Sequence, residues 1–171
     1  MKALRLFLCV LVGSLFLVAG AWADSSKAGD DDDECLTINA RGVGQDLGGG
    51  NTTATITRGG VLNGTTAAHF DITGGAPPAL TFAGTVVFTT RNGTLTVGIA
   101  GTFNVSTGVF NASGPVTAGT GVFTGATGNL VFAGVENLTT GVFTETVRGT
   151  ICLADDDDDD GDDDDDDDDD D

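Results

Sequence analysis

Leu95-Thr96-Val97-Gly98-Ile99-Ala100-Gly101-Thr102-Phe103-Asn104-Val105 alternates along its whole length, with Leu95, Val97, Ile99, Gly101, Phe103 and Val105 on one face. Successive side chains of an extended chain point to opposite faces, so this period of two predicts a strand with one buried side. Arg91-Asn92-Gly93-Thr94 precedes it, and Asn-Gly, which tolerates positive φ, suits a two-residue type I′ hairpin there. Outward from this point the alternation recurs at Ala54-Ile56, Ala68-Phe70-Ile72, Val86-Phe88, Leu130-Phe132 and Phe143-Val147-Ile151, and no segment shows helical spacing. Asn63-Gly64, Thr107-Gly108 and Thr140-Gly141 mark further reversals, and Gly74-Gly75-Ala76-Pro77-Pro78 a longer break.

The expected strands lie near 35–41, 52–58, 65–73, 80–89, 94–105, 109–117, 128–136 and 142–153. Eight antiparallel strands close into a barrel whose interior is filled by side chains or holds one small ligand; an open sandwich is the alternative. Cys35-Leu36-Thr37-Ile38 and Thr150-Ile151-Cys152-Leu153 read as the first and last strands. An even cysteine pair in an exported chain favours a disulfide between Cys35 and Cys152 over two free thiols or a metal site. Thr-Gly-Val-Phe occurs at 107–110, 120–123 and 140–143 with unequal spacing, a shared turn-then-strand solution rather than a solenoid repeat.

Export is read from residues 1–23. Lys2 and Arg5 precede an apolar stretch from Leu6 to Val18, and Ala21-Trp22-Ala23 has the small-x-small form of a cleavage site. This is the pattern of a secretory signal peptide and places the chain in a secreted, extracellular or periplasmic setting. The apolar stretch is short for a membrane helix, and none is expected later. The domain organisation is then a signal peptide (1–23), an acidic linker (24–34), an antiparallel β-barrel (35–154) and a poly-Asp tail (155–171).

The net charge of −19 describes the tail, in which sixteen of the last 17 residues are aspartate. The barrel carries four acids (Asp46, Asp71, Glu136, Glu145) and four arginines (Arg41, Arg58, Arg91, Arg148), which cancel. So few charges on a domain of this size do little to resist self-association and favour a homo-oligomer. The acidic tracts cannot bury apolar area and are expected to be disordered. Three roles are open to the tail: a solubilising brush, an electrostatic tether for a basic partner, or weak, diffuse calcium binding. Asp156, Asp158, Asp160 and Asp167 fit a calcium-loop spacing, yet any pattern of aspartates fits within polyaspartate. Polyaspartate would repel a phosphate backbone, so no nucleic-acid partner is expected.

Catalytic chemistry is thinly supplied. The barrel has one histidine, His69, two serines, Ser106 and Ser113, and no lysine or tyrosine. A nucleophile, a base and an orienting group can barely be assembled from this set. The Gly-rich run at 119–128 lacks the Gly-Lys-Ser/Thr ending of a phosphate loop. No catalytic residue or cofactor is assigned. His69 and Asp71 share the strand face opposite Phe70 and Ile72, and a solvated outer face explains them better than a metal site with no third ligand. Alternation puts Glu145 on the same face as Phe143, Val147 and Ile151, where a carboxylate needs a partner or has a raised pKa. Arg41, Arg58 or Arg91 are candidate partners, and a bulge that turns Glu145 outward is the alternative. A ligand cavity, if present, is expected among Phe70, Phe88, Val97, Ile99, Phe103, Phe143 and Glu145.

The outer face is largely threonine, as in Thr53-Ala54-Thr55-Ile56-Thr57, ordinary for an exposed β surface. Asn51, Asn63, Asn92, Asn104, Asn111 and Asn137 begin Asn-x-Ser/Thr sequons, which are glycosylation acceptors only in a host with that pathway.

Residues 116–149 carry a family resemblance. Gly119, Gly121, Phe123, Gly125, Ala126 and Gly128 form Gly-x-Gly-x-Phe-x-Gly-Ala-x-Gly between a strand and a strand hairpin. In this the segment resembles the late strands of the allene oxide cyclase and dirigent barrels. The resemblance implies an eight-stranded antiparallel barrel, often trimeric, with an apolar cavity. It does not bring the cyclase's working residues with it, since those lie in earlier strands that match no motif here. The expected function is a secreted noncatalytic module holding a small apolar ligand. A structural or surface-adhesion protein whose tail binds divalent cations comes second, and a cyclase or isomerase third.

Overall fold

A computed structural model describes residues 34–154. They form a closed antiparallel barrel in which each strand pairs with its neighbours in sequence and the last pairs with the first. The strands are β1 (Glu34–Gly48), β2 (Asn51–Thr57), β3 (Gly64–Ala76), β4 (Ala79–Thr90), β5 (Gly93–Asn104), β6 (Val109–Gly119), β7 (Thr127–Glu136) and β8 (Val142–Leu153). The signal-peptide, linker and tail expectations, with Asp156, Asp158, Asp160 and Asp167, lie outside the described residues. Among the described residues no helix is long and apolar enough to cross a membrane.

Closure rests on β1 and β8, which pair without interruption from Glu34↔Leu153 to Gln45↔Val142. Cys35 and Cys152 face each other in this register and are disulfide-bonded across 117 positions of sequence. The bond is compatible with an oxidising compartment.

The expected alternation decides what fills the barrel. On β5, Leu95, Val97 and Ile99 are buried and face inward. Ile38 and Ala40 from β1, Ala54 and Ile56 from β2, Phe82, Val86 and Phe88 from β4, Ala112 from β6, Leu130 and Phe132 from β7, and Phe143, Val147 and Ile151 from β8 are buried with them. Two short 3₁₀ turns, Gly60–Leu62 and Gly121–Phe123, close the end of the barrel at which β1 begins and β8 ends. Each contributes one side chain with no remaining exposure, Leu62 and Phe123.

Local differences from the sequence reading have physical causes. β1 continues to Gly48 rather than stopping near Arg41, because Gly42 and Gly44 occupy inward positions where no apolar side chain advertises a strand. The Gly74–Pro78 break is a continuation of β3 past a bulge between Ile72 and Gly74, and Ala76 pairs directly with Ala79 across Pro77 and Pro78. The hairpin after β4 turns on Arg91 and Asn92, since Thr90 pairs with Gly93. Neither turn residue has positive φ, so this is not a type I′ turn. Gly93 passes against the loop that carries Phe123, and a Cβ there would strike the Thr120 carbonyl.

The Thr-Gly-Val-Phe echo has one backbone element in common: Gly108, Gly121 and Gly141 all take positive φ, at 72°, 61° and 71°. Two copies turn into strands and bring Phe110 and Phe143 inward, edge to face at 5.9 Å. The third, rather than opening a strand, opens the 3₁₀ turn that carries Phe123.

Truncating the plug should therefore unfold more than it empties. Phe123→Ala is expected to lose about 3–5 kcal/mol in urea-induced unfolding, and Phe103→Ala, at a partly exposed interior position, less than half of that.

Candidate functional site: an acidic cavity in the open half of the barrel

The plugged half is packed and the other half is not. A cavity of about 480 Å³ opens between the β1–β2, β3–β4, β5–β6 and β7–β8 connections, the end opposite the plug. Its wall is aromatic and aliphatic, with Phe70 and Phe82 in contact at a ring separation of 5.1 Å and Phe110 and Phe143 stacked edge to face. Val86, Ile99 and Phe132 form part of the lining, and Phe132 packs on Phe88 at 6.2 Å.

Of the residues expected from sequence, Phe70, Ile99, Phe103, Phe143 and Glu145 line this space. Phe88 and Val97 do not; both are fully buried in the packed half. Alternation assigns a face but not a height along the barrel axis, and the two lie too close to the plug to meet the cavity. Phe82 and Phe110 also line it, as do Asp46 and Glu136, which the sequence reading did not select. Phe82 and Phe110 lie in alternating strands already identified, so the signal was present; what was missing was their height.

The inward face of β1 to β3 is light in the open half, and of its small residues Ala68 lines the space itself. Ala54 and Ala68 stand on β2 and β3, and Gly42 and Gly44 on β1. A Cβ on Gly42 would lie 2.6 Å from Glu145 Oε1 and 2.7 Å from its Cγ. A Cβ on Gly44 would overlap the Phe143 ring. These two glycines, paired with Glu145 and Phe143 in the β1–β8 register, let both side chains lie across β1 inside the barrel.

Glu145 therefore points inward, and the outward bulge does not occur: β7, β8 and β1 stay in register through it. None of the arginines proposed as its partner reaches it. Arg41, Arg58, Arg91 and Arg148 are all exposed, and among the described residues the one ion pair is between His69 and Asp71, 3.9 Å apart on the outer surface. His69 also meets Asn51 at 3.1 Å, as a solvated outer residue would. Asp71 reaches the cavity rim, with 83% of its side chain exposed.

Burial pushes the Glu145 carboxyl from 4.5 up to about 7. Glu136 is also raised, by burial first and by the nearby Asp46 charge second. Asp46 has one ordered donor, the Gly48 backbone N–H at 2.8 Å. Its backbone and the neighbouring Gln45 tie the cavity mouth together. Asp46 N–H donates to the Gly141 carbonyl at 2.8 Å, and Gln45 Nε2 donates to the Thr140 carbonyl at 2.9 Å. No hydrogen bond among the described residues reaches the Glu136 or Glu145 carboxylate, and no side-chain polar atom is buried without a partner. Both carboxylates thus keep access to the cavity.

Comparison with family models, with curated proteins and with solved structures finds no match to this chain.

The raised pKa has a consequence for stability. Between the unfolded value of 4.5 and the folded value of about 7, the folded barrel holds a proton on Glu145 that the unfolded chain has released. The group costs little below pH 4.5, and its penalty builds between pH 4.5 and about 7 and stays constant above that. Glu145→Gln is expected to stabilise the barrel at pH 8 by up to roughly 3 kcal/mol and to change little at pH 4, read from urea midpoints at the two pH values.

Proposed function

We propose that this chain is a secreted, noncatalytic binding module that holds a small apolar ligand inside the barrel. The observation that carries the reading is the cavity, closed at one end by Leu62 and Phe123, open at the other, and walled by phenylalanines. Its volume of about 480 Å³ lies in the range of small-molecule sites. A rigid closed sheet keeps such a space open without a ligand, so little ordering cost is incurred on binding. The reading of residues 116–149 as allene oxide cyclase- or dirigent-like supports the same function and adds a trimeric assembly. The noncatalytic part rests on the poverty of nucleophiles and bases in the barrel sequence.

An adhesion protein acting through its aspartate tail would have no use for this space. A cyclase or isomerase would use it, with Glu145 as the acid-base group, and loss of turnover but not of binding in Glu145→Gln would identify that case.

Native mass spectrometry of the full chain, purified gently from its own secretion pathway, tests the proposal. A stoichiometric extra mass that disappears on denaturation is expected, and the same spectrum counts subunits. Ala68→Trp, which fills the cavity from β3, should abolish the extra mass while retaining the barrel's circular dichroism. An empty wild-type barrel, or a mass unaffected by Ala68→Trp, would overturn it.

A further inference from the structure

The four acids and four arginines that cancel in the sequence are separated in space. Three of the four acids between Cys35 and Ala154, namely Asp46, Glu136 and Glu145, line the cavity, and the fourth, Asp71, touches its rim from the outer face. No arginine does, and all four are exposed. His69 stands outside as well, with 57% of its side chain exposed. A nearly neutral barrel therefore encloses a concave space of one sign, and a cleft lined by one sign of charge with low-dielectric walls concentrates its field inside.

We propose that the ligand class is an organic amine: an apolar body seated among Phe70, Phe82, Phe103, Phe110 and Phe143, with its ammonium held by Glu145 and Glu136. This rests on the binding reading above and specifies its ligand. The carboxylates are acceptors without protein partners, and an ammonium supplies three donors and the opposite charge. The phenylalanine faces around them favour a cation over an anion or a neutral head group. A carboxylate or phosphate ligand would instead meet the three carboxyl groups of Asp46, Glu136 and Glu145 and no donor side chain other than the hydroxyls of Thr52 and Thr66.

The groups facing Glu145 set the pH dependence. Gly42 on β1 and Gly134 on β7 stand directly beside it, Glu136 lies two residues further along β7 opposite Phe143, Asp46 four residues further along β1, and Asp71 at the rim on β3. No cation competes for it within the barrel. Lowering the pH from 8 to 5.5 protonates Glu145, so amine affinity should fall over that range while the affinity of a neutral ligand stays level.

The test is calorimetric titration of the full chain with decylamine, 1-decanol and decanoate, which share one apolar body. At pH 8 decylamine is expected to bind at least ten-fold more tightly than 1-decanol, with decanoate weakest. In the Glu136→Gln/Glu145→Gln double variant that ratio should collapse to within about two-fold, and unchanged 1-decanol binding shows that the variant folds. Equal binding of amine and alcohol to the wild type would overturn the amine assignment and leave the apolar-ligand reading intact. If none of the three binds, both fall. Decylamine binding that survives in Ala68→Trp, or a preference that persists in the double variant, would place the amine on the aspartate tail and overturn the proposal.

Discussion

The pairing of the first strand with the last is the interaction on which the rest of this structure depends. An open sheet of eight strands would leave two rows of unpaired backbone groups and a flexible interior. Here β1 and β8 satisfy each other from Glu34↔Leu153 to Gln45↔Val142. Closure fixes the radius of the barrel, and the radius sets how much side-chain volume the interior needs. The Cys35–Cys152 bond sits at the plugged end of that seam and holds the two strands in register there.

Given the fixed radius, side-chain size along the axis decides which half is solid. Phe88, Leu95, Val97, Leu130 and Ile151, with Leu62 and Phe123 from the two 3₁₀ turns, fill the end at which the chain enters and leaves the barrel. Toward the other end β1 and β2 present Gly42, Gly44 and Ala54 inward, and Ala68 on β3 lines the space. There the aromatic rings stand around a space instead of meeting across it. The two glycines on β1 admit Glu145 and Phe143 to the interior, so the most buried carboxylate of the lining owes its place to them. That carboxylate costs stability at neutral pH, a cost that binding of a cation would offset.

Much of the architecture was legible because burial on one face imposes a period of two whatever the partner strand is. The run from Leu95 to Val105 gave a strand, and its neighbours gave seven more in the order in which they pair. What failed to read did so where glycine replaces an apolar residue, as at Gly42 and Gly44, or where a short turn has too few residues for any period, as at Gly60–Leu62 and Gly121–Phe123. Glu145 was legible as an inward carboxylate, while Glu136 was not selected although it ends the expected 128–136 strand in phase with Leu130 and Phe132, because Gly134 interrupts the apolar alternation just before it.

The sequence by itself determined the all-β class, the number of strands, the facing of their side chains and the cysteine pair, because these follow from local alternation and from the positions of two residues. Only the tertiary structure decided that Phe88 and Val97 are packed while Phe103 and Phe143 line a hollow, and that Asp46, Glu136 and Glu145 turn toward that hollow while every arginine turns away. Height along the barrel axis depends on strand register and on where the ends are plugged, and both are set by pairing between residues far apart in the chain.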